Sequence, residues 1–177
     1  MITARNGIQV SGGGINVSSG IITATSLSIN GIDIGRGLAA VVTNTVVGNS
    51  ALDANTSGAR NVAIGFEALG ANTEGSDNTA IGYDALSSNT TANNNTAVGN
   101  DALKTNTTGA NNTALGESAL ALNTTASHNT GVGYGACYAN TTGTQNVAVG
   151  NDALSLNTTG LRNVAIGVGA LQLGTAV

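Results

Sequence analysis

Residues 61–77 read NVAIGFEALGANTEGSD, residues 78–94 read NTAIGYDALSSNTTANN, and residues 95–111 read NTAVGNDALKTNTTGAN. Each block repeats its predecessor at a step of 17 residues. A fixed period of this kind is the signature of a repeat architecture and outranks any local propensity. Extended in both directions, the blocks open at Asn44, Asn61, Asn78, Asn95, Asn112, Asn129, Asn146 and Asn163. The first, fifth and eighth positions are Asn, Gly and Ala in all eight copies. The ninth is Leu in seven copies and Cys137 in the sixth. Positions twelve and thirteen are Asn-Thr in the seven complete copies, and the eighth copy departs from the pattern after Leu171.

A 17-residue unit is too short for a helical-hairpin repeat, which needs ~30 residues or more. It suits one coil of a β-solenoid. The T-A-I-G segment has the small and β-branched residues of a short strand, and the A-L pair reads as a second. Gly at the fifth position permits a bend or a close backbone approach. The N-T-T-G stretch is turn chemistry, with Asn and Gly tolerant of left-handed backbone. The expected fold is therefore all-β: a parallel β-solenoid or β-roll over residues 44–177, built from eight repeats of which the last is partial. With coils stacked at ~4.8 Å, eight of them make a rod of roughly 38 Å.

The repeat also fixes columns of like residues. Asn61 and Asn78, Gly65 and Gly82, Ala68 and Ala85, and Leu69 and Leu86 each belong to such a column. Ile64 and Ile81 belong to another, which continues through Val98, Leu115, Val132, Val149 and Ile166. The Ile/Val and Leu columns are the expected filling of the coil interior. Side chains alternate faces along a strand, so the column before Ile/Val (Ala63, Ala80, Ala97, Ala114, Ala148, Ala165) is expected on the outer face. A small apolar column there suits close packing against another subunit.

Residues 1–43 differ. Ile and Val alternate with polar residues between Gly-rich breaks, a pattern of short strands and an expected N-terminal β-rich stem or attachment segment. At the other end Leu173, Ala176 and Val177 are apolar, and this edge is expected to be covered by a partner, another copy or downstream sequence.

Composition narrows the function classes. Only 8% of residues are charged, against about 25% in ordinary domains. Five Lys and Arg, scattered, with a net charge of −4, argue against nucleic acid. No apolar run approaches the ~20 residues of a membrane-spanning helix, and since polar, Gly-rich sequence follows Met1, no secretory signal is expected. One cysteine excludes an intrachain disulfide framework.

The N-T-A-I-G-x-x-A-L motif resembles the β-roll heads of trimeric autotransporter adhesins, over residues 44–172. The period here is longer, with N-T-T-G as the added turn. GINVSSGIITATSLSINGIDIGRG, residues 14–37, followed by these repeats, is similar to tail-fibre proteins of bacteriophages, particularly those of marine cyanobacteria. The resemblance implies a left-handed roll and a homotrimer. It also implies a place in the virion, with the N-terminal segment joined to other tail or baseplate proteins and a host-surface receptor or glycan beyond.

No catalytic, cofactor or metal site is expected. His128 and Cys137 occupy different columns, a turn column and the Leu column, whereas a nucleophilic pair needs hydrogen-bond reach. The carboxylates at the seventh position (Glu67, Asp84, Asp101, Asp152) are interrupted by Ser118 and Gly135 and read as a solvated face rather than a Ca²⁺ ladder. The N-x-S/T triplets at Asn89, Asn106, Asn123, Asn140 and Asn157 read as structural Asn ladders rather than glycan acceptors. The function expected is that of a structural tail-fibre protein, a rigid spacer and host-surface binder. The alternatives are a bacterial surface adhesin head and, from the Thr column Thr56–Thr158, an ice-binding solenoid. Any recognition of a partner falls to the most variable columns: the sixth, tenth, eleventh and seventeenth. Register sets two expectations: Phe66 lies beside Tyr83, and Arg60 pairs with Asp77.

Overall fold

The computed structural model describes residues 26–29, 32–35 and 43–172. Eight three-residue strands stack in chain order: β3 (Thr45–Val47), β4 (Val62–Ile64), β5 (Thr79–Ile81), β6 (Thr96–Val98), β7 (Thr113–Leu115), β8 (Thr130–Val132), β9 (Val147–Val149) and β10 (Val164–Ile166). All are parallel, and each residue pairs with the one 17 positions on, as Thr79 does with Thr96 and Ile81 with Val98. The 17-residue parallel β-solenoid is thus the observed fold.

Two more strands extend the sheet at its N-terminal edge. β1 (Ser26–Ile29) and β2 (Ile32–Gly35) form an antiparallel hairpin, and β2 lies antiparallel on β3 through Ile34↔Val47 and Gly35↔Val46. An open solenoid end leaves a row of unpaired backbone groups; the hairpin supplies partners for β3. The expectation for residues 173–177 lies outside the described residues, as does most of the stem expected over residues 1–43.

The structure reverses the two strand columns. Ala63, Ala80, Ala97, Ala114 and Ala148 are fully buried, while Ile81, Leu115 and Ile166 are 37%, 47% and 71% exposed. Alanine faces in; Ile, Val and Leu face out. The reason is the width of the coil. The Leu column (Leu52, Leu69, Leu86, Leu103, Leu120) is completely buried opposite the strand and takes most of the room. At Gly131, the copy without a methyl, an added Cβ would lie 2.9 Å from Ala136 O and 3.3 Å from Leu120 Cγ, so the room between sheet and leucines is tight; Val46, in the first coil, is the one larger side chain of the column.

The A-L pair is a turn, not a second strand. Residues at the seventh and ninth positions are left-handed, with Asp84 at φ 54° and Leu86 at φ 53°. A left-handed non-glycine residue costs roughly 1–2 kcal/mol, so something must hold it. The leucine N–H donates to the alanine carbonyl one coil on, as in Leu69 N to Ala85 O at 3.0 Å and Leu103 N to Ala119 O at 3.0 Å. Inter-coil hydrogen bonds therefore continue through the turn. The third left-handed site is the seventeenth position (Arg60, Asp77, Asn94 and on), whereas the Asn of N-T-T-G does not take this conformation.

Gly65, Gly82 and their column are required twice over. Gly82 has φ +140°, and a Cβ there would lie 2.3 Å from the carbonyl oxygen of Gly99.

Candidate functional site

Two buried asparagine ladders run along the rod. At the first position, Asn61 N–H donates to Asn44 Oδ1 at 2.9 Å, and Asn61 Nδ2 donates to Gly75 O at 2.8 Å. At the twelfth, Asn72 Nδ2 donates to Asn55 Oδ1 at 3.2 Å and to the same Gly75 carbonyl at 3.0 Å. The two ladders thus converge on one carbonyl per coil, and Asn78 repeats the scheme through Asn61 Oδ1 and Ala92 O. Buried polar groups must be satisfied. Among the described residues the only buried side-chain polar atom without a partner is Asp84 Oδ1. The N-x-S/T asparagines belong to this ladder: Asn89, Asn106, Asn123, Asn140 and Asn157 are all buried.

The threonine column is also committed to the fold. Thr56 Oγ1 donates to Thr73 O at 2.9 Å, and Thr107 Oγ1 to Thr124 O at 3.1 Å. These hydroxyl protons point along the stack, not toward solvent.

The expected register pairs form. The rings of Phe66 and Tyr83 stack with centroids 5.2 Å apart and planes 13° apart. Arg60 grips Asp77 with two hydrogen bonds, Nε to Oδ1 at 2.6 Å and Nη2 to Oδ2 at 2.7 Å. The hydrogen bond from Arg60, with its charge, holds the Asp77 carboxyl below its ordinary range.

The seventh-position carboxylates are not uniformly solvated, contrary to expectation. Asp84 is 8% exposed, and Lys104 bridges it to Asp101 through contacts of 2.8 and 3.0 Å. Hydrogen bonds to both carboxylates raise the Lys104 pKa well above its usual value. No group of three or more metal-ligating side chains gathers among the described residues. Cys137 is fully buried, which pushes its thiol up to about 12, whereas His128 is exposed.

Two surfaces are left for a partner. The first is the outward strand face. Its second position is Thr or Val and its fourth Ile, Val or Leu, so β3–β10 present two parallel columns of β-branched or aliphatic side chains. The second is the side that carries the seventh and tenth columns, where two hollows lie. One hollow, of about 300 Å³, includes Asp53, Glu67 and Ser87. The other, of about 410 Å³, includes Tyr134, Tyr138 and Asp152. Sequence reading noted Gly135 only as a gap in the acidic column. The signal it passed over is that the sixth copy carries Tyr at both its sixth and tenth positions.

Of the residues expected to form structural columns, Asn61, Ala68, Leu69, Asn78, Ala85 and Leu86 lie inside the coil, Gly65 and Gly82 make its corner, and Ile64 and Ile81 face outward. These features define a β-solenoid repeat protein. Compared with known protein families, curated proteins and solved structures, the chain has no match.

Proposed function

We propose that this chain is a segment of a homotrimeric phage tail fibre, in which the outward faces of β3–β10 from three copies pack around a common axis. The observation that carries the reading is the exposed apolar strand face: Ile81 and Leu115 are 37% and 47% exposed within the stack, and Val164 and Ile166 63% and 71% on its last strand. Soluble monomers rarely leave such a stripe uncovered. Burying a fully exposed Ile, Val or Leu side chain contributes about 1.5–3 kcal/mol; these half-buried ones contribute a fraction of that each, repeated along the stack. The column reversal strengthens the case, because the outer face holds larger side chains than the alanines expected there. The number three, the left hand of the roll and the virion setting come from the resemblance to adhesin heads and cyanophage tail fibres.

Inter-coil hydrogen bonds at strand, turn and both asparagine ladders give a stiff rod, which suits a spacer. The N-terminal segment would join other tail or baseplate proteins, and the exposed columns would face the host surface. Mass spectrometry of purified virions tests this location. Detection of the chain in stoichiometric amount supports the reading. Its absence from virions, with recovery from a bacterial envelope instead, replaces it with the surface-adhesin alternative.

A further inference from the structure

The hollow at the sixth coil is a half-open cleft on the surface of the rod. Its volume of about 410 Å³ lies within the ~300–1,000 Å³ of small-molecule pockets. Tyr134 and Tyr138 are 53% and 41% exposed and both line it. The chain has only one Phe and three Tyr, so half its aromatic rings stand here. Phe66 and Tyr83, the other half, are stacked on each other. Tyr134 and Tyr138 form no such pair.

Gly135 admits the Asp152 carboxylate. Its column otherwise holds Ser, Glu or Asp, apart from Gly169. At Gly135 the missing side chain is replaced by the Asp152 carboxylate from the next coil, whose Oδ1 lies 2.4 Å from where a Cβ would sit. Equivalent carboxylates at Asp84 and Asp101 are neutralised by Lys104. Asp152 has Tyr138 and Ser155 beside it instead. Among the described residues, the side chains of Asp152, Ser118 and Ser155 find no hydrogen-bond partner, and Gln172 also lines the hollow. The wall of the hollow thus carries a carboxylate, two hydroxyls and an amide.

We infer that this hollow is a saccharide subsite that takes a neutral pyranose unit of a surface glycan. An aromatic face matches the C–H face of a sugar ring, and a tyrosine offers both an apolar body and a polar tip. A carboxylate, two serine hydroxyls and an amide supply the hydrogen bonds that sugar hydroxyls need. The carboxylate and the net charge of −4 select against acidic sugars. The inference deepens the host-binding part of the fibre reading, but it stands on the cleft alone.

The test is a glycan array probed with the full chain, followed by titration with neutral methyl hexosides and N-acetylhexosaminides and with a sialoside as control. The decisive variant is Gly135→Asp. It puts there the residue found at Asp84, Asp101 and Asp152 in the same left-handed conformation and must displace the Asp152 carboxylate toward the hollow; circular dichroism checks that the coil folds, and Tyr134→Ala carries the test if it does not. Neutral-sugar binding that falls at least tenfold in Gly135→Asp and in Tyr134→Ala, with sedimentation unchanged, supports the subsite. Failure of every neutral glycan to bind, or equal binding by Gly135→Asp, overturns it. Loss of the trimer or absence from virions would overturn the fibre reading and leave this result standing.

Discussion

Asn106 tests how far the buried amides, rather than the apolar columns, hold the coils together. Its Nδ2 donates to Asn89 Oδ1 at 3.2 Å and to Gly109 O at 2.8 Å, and its Oδ1 accepts from Asn123 Nδ2 at 2.8 Å. Asn106→Ala removes all three. Gly109 O keeps its bond from Asn95 Nδ2, and Asn123 Nδ2 keeps its bond to Ala126 O. Asn89 Oδ1 is left as a buried acceptor with no donor. One unsatisfied buried group costs about 1–3 kcal/mol, and the vacated amide leaves a cavity as well. The expected loss is about 2–4 kcal/mol in urea unfolding followed by far-ultraviolet circular dichroism. Thr108→Ala, at an exposed side chain of the same turn, should stay within about 0.5 kcal/mol. Asn106→Asp adds a sign. An oxygen would replace Nδ2 opposite two oxygens, so the folded state raises that carboxyl's pKa above its unfolded value. The variant's stability is then fully present at low pH and is lost as pH rises through the folded value. An Asn106→Ala protein within about 0.5 kcal/mol of wild type would refute the role given to the ladder.

Gly99→Ala should cost about 3 kcal/mol or more, since φ is +138° and the new Cβ would lie 2.5 Å from Gly116 O. Gly109→Ala should also destabilise, because the new Cβ would lie 2.1 Å from Ala126 O, but less than Gly99→Ala, since its φ is not left-handed and Ala92 and Ala126 in the same column show that the coil can shift to admit a methyl; thermal melts of the two variants check the order. Cys137 should resist thiol reagents in the native protein and react on unfolding. Its folded pKa of about 12 lies above the unfolded value, so its contribution is intact below the ordinary thiol range. That contribution is lost as pH rises toward 12, at about 1.4 kcal/mol per pH unit. Urea midpoints of wild type and Cys137→Ala at rising pH read that slope.

The period, the glycine corner, the leucine core and the asparagine ladders were legible because each is a column repeated coil after coil. Register then placed Phe66 on Tyr83 and Arg60 on Asp77 without any further information. What alternation cannot reveal is which face is inside. Ala63 and Ile64 sit on opposite faces in either reading, and the choice turns on the room that Leu69 leaves across the coil. The A-L turn was hidden for a related reason. Leucine has no local preference for left-handed backbone, and only the bond from Leu69 N to Ala85 O in the neighbouring coil holds it there. The cleft at Tyr134 and Tyr138 needed the structure to show that positions six and ten of one coil flank position seven of the next.

Sedimentation equilibrium of the intact chain tests the outward apolar ladder most directly. Assembly through that face gives a mass about three times the 17.2 kDa of one chain. It also makes Val98→Asp combined with Leu115→Asp fall to the single-chain mass with its β-structure retained. A wild-type protein that sediments at 17.2 kDa over the whole concentration range would contradict the fibre reading.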